Sequence, residues 1–323
     1  MCRHLPAKPS VIGQSGSWAA LEFGSGRDSF GGLQITNAAN PYLDGYDDSE
    51  PLYRLTPGGP SIRQTVSCDK QSYSPEVCGL TGINGKVINV PADMIPEGNA
   101  DHHFSYDDPS NNREVDFWDS DMPSGNGGTL HVGGAGFCKW GGDGTGCSGS
   151  TATQIDTGLG GIDPVLLKSG EADSVHGTLP YALSAAAVCA DVSTNFVYPA
   201  KASDGDNTNS TSACAGHLGA GGRPPEGTRW FLRLHDADVD ATNNLPYVKV
   251  ILRTVDEDHF GGVVTDTNWG GAAEGLAIQF HRGNYAFAAA EAGIYYGPDV
   301  YLPVSTNGID LARSIEFCSN GTC

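Results

Sequence analysis

The chain predicts an all-β fold: a single-domain β-sandwich, jelly-roll-like, with long Gly-rich loops, short helices and local disulfides. Three observations lead there. Short apolar runs alternate with polar residues at a period of two, and few segments carry a helical period. Glycine is abundant, 45 of 323 residues, and follows no collagen-like repeat, so it punctuates turns and bulges. Eight of the nine cysteines fall into neighbouring pairs flanking loops.

Each element follows in chain order. Residues 1–60 are loop-rich, with short strands at Trp18-Ala19-Ala20-Leu21-Glu22-Phe23, Gly32-Leu33-Gln34-Ile35 and Leu52-Tyr53-Arg54-Leu55. Pro57-Gly58-Gly59-Pro60 breaks the chain before an alternating strand at 61–66. Gly85-Lys86-Val87-Ile88-Asn89-Val90 opens the core region, 85–280. A hairpin follows. His103, Ser105 and Asp107 alternate with Phe104 and Tyr106, Asp108-Pro109-Ser110-Asn111-Asn112 is turn chemistry, and Glu114-Val115-Asp116-Phe117-Trp118 returns. One hairpin face carries aromatics into a core; the other holds carboxylates and imidazole side by side. A Gly-rich region at 125–149 contains Thr129-Leu130-His131-Val132. A short helix is expected at 163–168, with Asp163 as cap and Pro164 in its first turn. Residues 177–190 read as a buried strand, although their alanines also suit a helix. Glu226 to Leu234 reads as a strand, and 246–256 as the best helix, with Val248, Leu252 and Val255 along one face. Strands are expected again at 262–266 and 276–280. No repeat at a period of about 20–50 residues and no low-complexity linker interrupts the chain, so one domain over 1–323 is expected.

Composition narrows function. Acidic residues outnumber basic ones 38 to 18, for a net charge of −20. That charge argues against nucleic acid and anionic membranes as partners. No apolar run reaches the roughly 18 residues of a membrane helix, and Met1-Cys2-Arg3-His4 followed by Leu5-Pro6 lacks the apolar core of a signal peptide, so a secreted form is expected to have had its leader removed. Spacing does not dictate connectivity, but local bridges Cys68/Cys78, Cys138/Cys147, Cys189/Cys214 and Cys318/Cys323 are expected, with Cys2 left over. Such staples, with glycosylation sequons at Asn209 and Asn320, point to an extracellular protein. No cysteine or histidine spacing matches structural zinc.

Three stretches carry candidate chemistry: Asp101 with His103, Asp173-Ser174-Val175-His176, and Asp266-Thr267-Asn268-Trp269. A carboxylate fixes the tautomer of a neighbouring imidazole and raises its basicity; two carboxylates in unlike settings divide acid and base work. Trp118, Trp140 and Trp269 are candidates to stack on sugar rings, and Arg113 and Arg229 to pair with substrate. His235-Asp236-Ala237-Asp238-Val239-Asp240 reads as a solvated acidic loop; calcium is its candidate ion, although the EF-hand spacing is missing.

The order of these motifs resembles a group of secreted proteins common in actinobacteria. Asp101-x-His103 to Asp108-Pro109, Asp116-Phe117-Trp118, Trp140-Gly141-Gly142, Asp173-x-x-His176, Tyr198-Pro199-Ala200 with Asp204-Gly205, Pro225-Glu226-Gly227-Thr228-Arg229 and Gly262 to Asp266 follow that group's pattern over about residues 90–280. The pattern runs roughly DGHM-VVDP, EFW, WG, DHAL, YPATKTDG, PEGAR and YG-x-x-V-x-D. This chain has His102 where the group has Gly, and His176 is three residues from Asp173 rather than adjacent. The resemblance implies secretion, a β-rich fold and action on polysaccharide. The expected function is therefore glycosidic-bond cleavage, hydrolase ahead of lyase, by Asp101, His103, His176 and Asp266. The alternative is a non-catalytic carbohydrate-binding or filament-forming protein.

Overall fold

The computed structural model describes residues 52–71, 78–96, 102–139, 147–150, 177–188, 195–203, 224–242, 246–268 and 315–318, with shorter pieces elsewhere. Strands dominate. In chain order they are β1 (Gly32–Ile35), β2 (Leu52–Arg54), β3 (Ser61–Cys68), β4 (Val87–Pro91), β5 (Phe104–Asp108), β6 (Arg113–Trp118), β7 (Gly128–Val132), β8 (Gly134–Lys139) and β9 (Leu183–Val188). Then come β10 (Arg229–Leu232), helices α1 (Asp236–Asp240) and α2 (Pro246–Thr254), β11 (Gly262–Asn268) and β12 (Leu276–Ile278). The last strands are β13 (Val300–Pro303), β14 (Ser305–Thr306), β15 (Ile309–Asp310) and β16 (Ile315–Phe317).

The backbone gathers into two compact units. One takes residues 37–164 and 280–298; the other takes 1–36, 165–279 and 299–323.

The first unit, 37–164 with 280–298, holds a four-stranded sheet ordered β2-β5-β6-β8 and a three-stranded sheet ordered β4-β3-β7. Both contribute to one buried cluster. Tyr53, Phe104, Tyr106, Val115, Phe117 and Ala135 come from the first sheet, and Val66, Ile88, Val90, Leu130 and Val132 from the second. That is the arrangement of a two-sheet sandwich, whose inner faces supply alternate residues. Phe104 sits directly opposite Phe117 in the β5–β6 register, with ring centroids 4.6 Å apart. Burying each such ring contributes about 1.5–3 kcal/mol. The disulfide Cys68–Cys78 closes the end of β3, and Cys138–Cys147 ties β8 to the segment after it. Gly136 lets that segment approach: a Cβ there would collide with the Ser148 carbonyl, while Phe137 and Ser148 pair across the gap.

The other unit is built on a seven-stranded mixed sheet, β13-β1-β12-β9-β11-β10-β16. β9 pairs β11 in parallel, whereas β10 pairs β11 and β16 antiparallel. Helix α2 forms where 246–256 predicts one, with Pro246 in its first turn. Its valines and isoleucine are modest helix formers, so burial holds it: Tyr247, Val248, Val250, Ile251 and Leu252 are all covered. Within the 177–190 stretch, Leu183–Val188 is strand β9 rather than helix, since the parallel neighbour β11 satisfies its backbone. The acidic stretch at 235–240, expected as a loop, is instead the one-turn helix α1. Asp238 accepts a hydrogen bond from the His235 amide at 2.9 Å, and buried Val239 pins the turn. Cys318 is disulfide-bonded, next to β16. Cys189, Cys214 and Cys323, and most of the 163–168 helix, lie outside the described residues.

Among the described residues no helix is long and apolar enough to cross a membrane.

Candidate functional site

The hairpin that attracts attention in the sequence folds as expected. Asn111 and Asn112 donate their amides back to the Asp108 and Pro109 carbonyls, and Asn112 takes a positive φ of 53°. Phe104, Tyr106, Val115 and Phe117 enter the core. Ser105, Asp107, Glu114 and Asp116 share the opposite face, Ser105 across from Asp116 and Asp107 across from Glu114.

Asp116 on this face, and Asp108 with Arg113 beside the turn, make contacts within the fold. Asp116 is fully buried and accepts from both the Ser150 amide, at 2.7 Å, and the Ser150 hydroxyl, at 3.0 Å. Asp108 accepts from Asn111 Nδ2 at 2.7 Å and from Arg113 Nε at 3.1 Å. Arg113 also lies over the Phe137 ring, 5.3 Å from its centroid. Arg113, expected to meet substrate, makes both of these contacts within its own sheet. Trp118 packs against the Gly133 backbone, where a Cβ would strike its ring. Arg229 donates to the Phe260 carbonyl.

Of the four expected catalytic residues, His103 lies half-buried beside the positive-φ residue His102, before β5. Asp266 is on β11, in the other unit, described there by its backbone alone. Asp101, His176, Trp140 and Trp269 lie outside the described residues.

A different group does converge. Asp236, Asp256 and His259 each place a ligand-type atom within 4.8 Å of the others. β10 and α2 bring them together. Leu232, the last residue of β10, donates its amide to the Val255 carbonyl at 2.7 Å and bridges to Asp256. Two residues after Leu234, α1 begins with Asp236. Past α2 the chain turns tightly: the Asp258 amide donates to Asp256 Oδ1 at 3.0 Å, and the Phe260 and Gly261 amides both return to the Thr254 carbonyl at 3.0 Å. This turn sets His259 three residues after Asp256 and on the same side.

Within the group, His259 Nδ1 and Asp256 Oδ1 are 2.7 Å apart. The Asp256 side chain is fully buried, while the imidazole keeps 16% of its surface exposed. Burial pushes the Asp256 carboxyl up from its ordinary value, outweighing the hydrogen bond from His259 that pulls it down. The hydrogen bond to Asp256 pushes His259 up. Arg253, itself buried, joins α2 to α1 through Asp240, and its Nε lies 3.8 Å from Asp236 Oδ1. Outside them stands exposed His235, its Nδ1 2.8 Å from Asp258 Oδ2 and its Nε2 3.3 Å from Glu257 Oε1.

Comparison with protein-family models, curated proteins and solved structures returns no match. The chemistry of the side chains therefore carries the reading. A buried carboxylate that fixes Nδ1 leaves Nε2 of the imidazole for proton transfer, and a second carboxylate nearby can hold charge or a proton. The same three groups form a donor set for a divalent cation.

The sequence marks the 235–240 stretch by its acidity, whereas Asp256-x-x-His259 is four residues of an otherwise ordinary turn. The signal was available: an Asp three residues before a His, just past a predicted helix end. A second acidic segment shortly before that helix was the other half.

Proposed function

We propose that the protein is an extracellular hydrolase of neutral polysaccharide, with its water-activating chemistry at Asp236, Asp256 and His259. The observation that carries this reading is the convergence of two carboxylates and an imidazole within 4.8 Å, one carboxylate wholly buried. Hydrolysis needs groups that take up and return a proton beside the scissile bond, and such a group supplies them. The motif order, which resembles that of a group of secreted actinobacterial proteins, supports the polysaccharide class. The disulfides support an oxidising compartment. The net charge of −20 supports a neutral rather than a uronate-bearing chain.

The test is incubation with a panel of neutral and uronate-bearing polysaccharides, reading new reducing ends and the absorbance of unsaturated uronates. Reducing ends from a neutral polymer, falling by roughly 100-fold or more in His259→Ala, are the expected result. Product that survives both His259→Ala and Asp236→Asn would remove the centre from the chemistry; absorbance from uronates would replace hydrolysis by elimination.

One observation favours a second reading, non-catalytic carbohydrate binding. Phe196 and Tyr198, two residues apart, are 49% and 45% exposed where the chain enters a turn closed by the Ala200 amide on the Val197 carbonyl. The backbone between them is anchored by the Val197 amide on the Glu226 carbonyl at 2.8 Å. Paired exposed rings on a fixed backbone suit the C–H face of a sugar. Retention on an insoluble glucan without any product, lost in Tyr198→Ala, would establish this reading instead.

A further inference from the structure

We propose that Asp236, Asp256 and His259 bind one divalent cation of the zinc or manganese class. This deepens the hydrolase reading and rests on it only for the cation's use; the binding stands by itself. Three observations carry it. The three donors already lie within 4.8 Å of one another. A cation held at about 2.0–2.2 Å from each donor needs them within roughly 4 Å, a distance that turning one carboxylate covers. Asp236, with 33% of its side chain exposed, is the one with room to turn.

The second observation is independent of the clustering. Asp256 is fully buried, and its Oδ2 has no hydrogen-bond partner. Its Oδ1 is already used by His259 Nδ1 and the Asp258 amide. Leaving a buried carboxylate oxygen without a donor is costly, and native structures rarely do so. A cation would satisfy that oxygen.

The third is the surrounding charge. Arg253 approaches Asp236 from α2 but is also engaged by Asp240. Asp258 and Glu257 stand on the outer side with His235, and Asp238 on α1. Carboxylates outnumber the one arginine, so the field around the group remains favourable to a cation.

The donor types select the ion. Calcium is coordinated by six to eight oxygens, as a rule, and an imidazole in the set points away from it. Two carboxylates and one imidazole suit a first-row transition ion. The stretch at 235–240, which suggests calcium when read alone, supplies a single ligand here.

The experiment uses the whole chain without an affinity tag, stripped with chelator and dialysed. Zn2+ and, separately, Mn2+ are titrated calorimetrically, with bound metal counted by elemental analysis and folding checked by circular dichroism. One equivalent of Zn2+ per chain is expected, not displaced by an equal concentration of Ca2+. Asp256→Asn alters a buried position and can unfold the unit, so the test rests on His259→Gln and Asp236→Asn. Each should weaken binding by more than the roughly 10–100-fold that losing an outer partner costs. Absence of binding by the folded wild type, wild-type affinity retained in both variants, or displacement by equimolar Ca2+ would overturn the proposal. Zinc binding without hydrolysis on any polymer would leave the cation site standing and sink the hydrolase reading. Hydrolysis unaffected by chelator, with no bound zinc, would do the reverse.

Discussion

Two aspartate–histidine pairs in this protein have nearly the same contact distance and opposite chemistry. Asp69 and His131, at the end of β3 and on β7, meet at 2.9 Å with both side chains nearly half exposed. Asp256 and His259 meet at 2.7 Å with the aspartate fully enclosed. At Asp69 the hydrogen bond from His131 holds the carboxyl below its ordinary value. At Asp256 burial prevails and the carboxyl rises. Solvent already satisfies the first charge, so the pair adds little; the second charge has only its neighbours. The polar face of the β5–β6 hairpin makes a third case. Asp116 is as buried as Asp256, yet it is met by an amide and a hydroxyl of Ser150, a contact that fastens a loop. Composition alone does not distinguish these three carboxylates. Depth and partner do.

The largest effect that would break the contrast is on stability. Asp256→Ala should cost about 3–5 kcal/mol in denaturant unfolding, as removal of one member of a buried pair does. Asp69→Ala should cost no more than about 1 kcal/mol. Equal losses would mean that burial is not what separates the pairs.

Asp116→Ala should come next, at roughly 1–3 kcal/mol, because it strands the Ser150 amide and hydroxyl in a buried setting. It should leave any hydrolytic activity unchanged apart from that stability loss. A specific loss of turnover at full folding would return the hairpin to the catalytic role that its sequence suggests.

The pH dependence sharpens the comparison. His259 is raised above its unfolded value, so its contribution is complete below the unfolded value near pH 6.5 and is lost as pH rises through the folded one. Asp256 is also raised, and it too favours the folded state at the acid end of its window. Asp69 is lowered, so its smaller contribution is present above the unfolded carboxylate range and is lost as pH falls through the folded value. Metal-free protein should therefore melt at a higher temperature in mildly acid than in mildly alkaline buffer, and His259→Gln should flatten that slope. A slope unchanged in the variant would assign it to other groups.

The smallest expected effect is at the exposed rings. Phe196→Ala and Tyr198→Ala should change the unfolding free energy by less than about 0.5 kcal/mol, as surface changes do. Any effect on glycan retention would then report contact with the ligand.

Much of the fold was legible from the chain itself. The alternation of Phe104 and Tyr106 against Ser105 and Asp107 predicted a strand with one apolar face, and those aromatics lie in the core. Pro246 and the spacing of Val248, Leu252 and Val255 predicted α2. Neighbouring cysteines predicted Cys68–Cys78 and Cys138–Cys147. All are local: periodicity, turn chemistry and short loops are written over a few residues. The division into two units was not marked by any linker, because each unit is assembled from segments far apart in the chain. Nor was the candidate centre. Asp236 and Asp256 are brought together by the end of β10 meeting the end of α2, a pairing that no local pattern encodes. Which aspartate is shut away from water, and so has its proton affinity changed, was decided only when the chain closed over it.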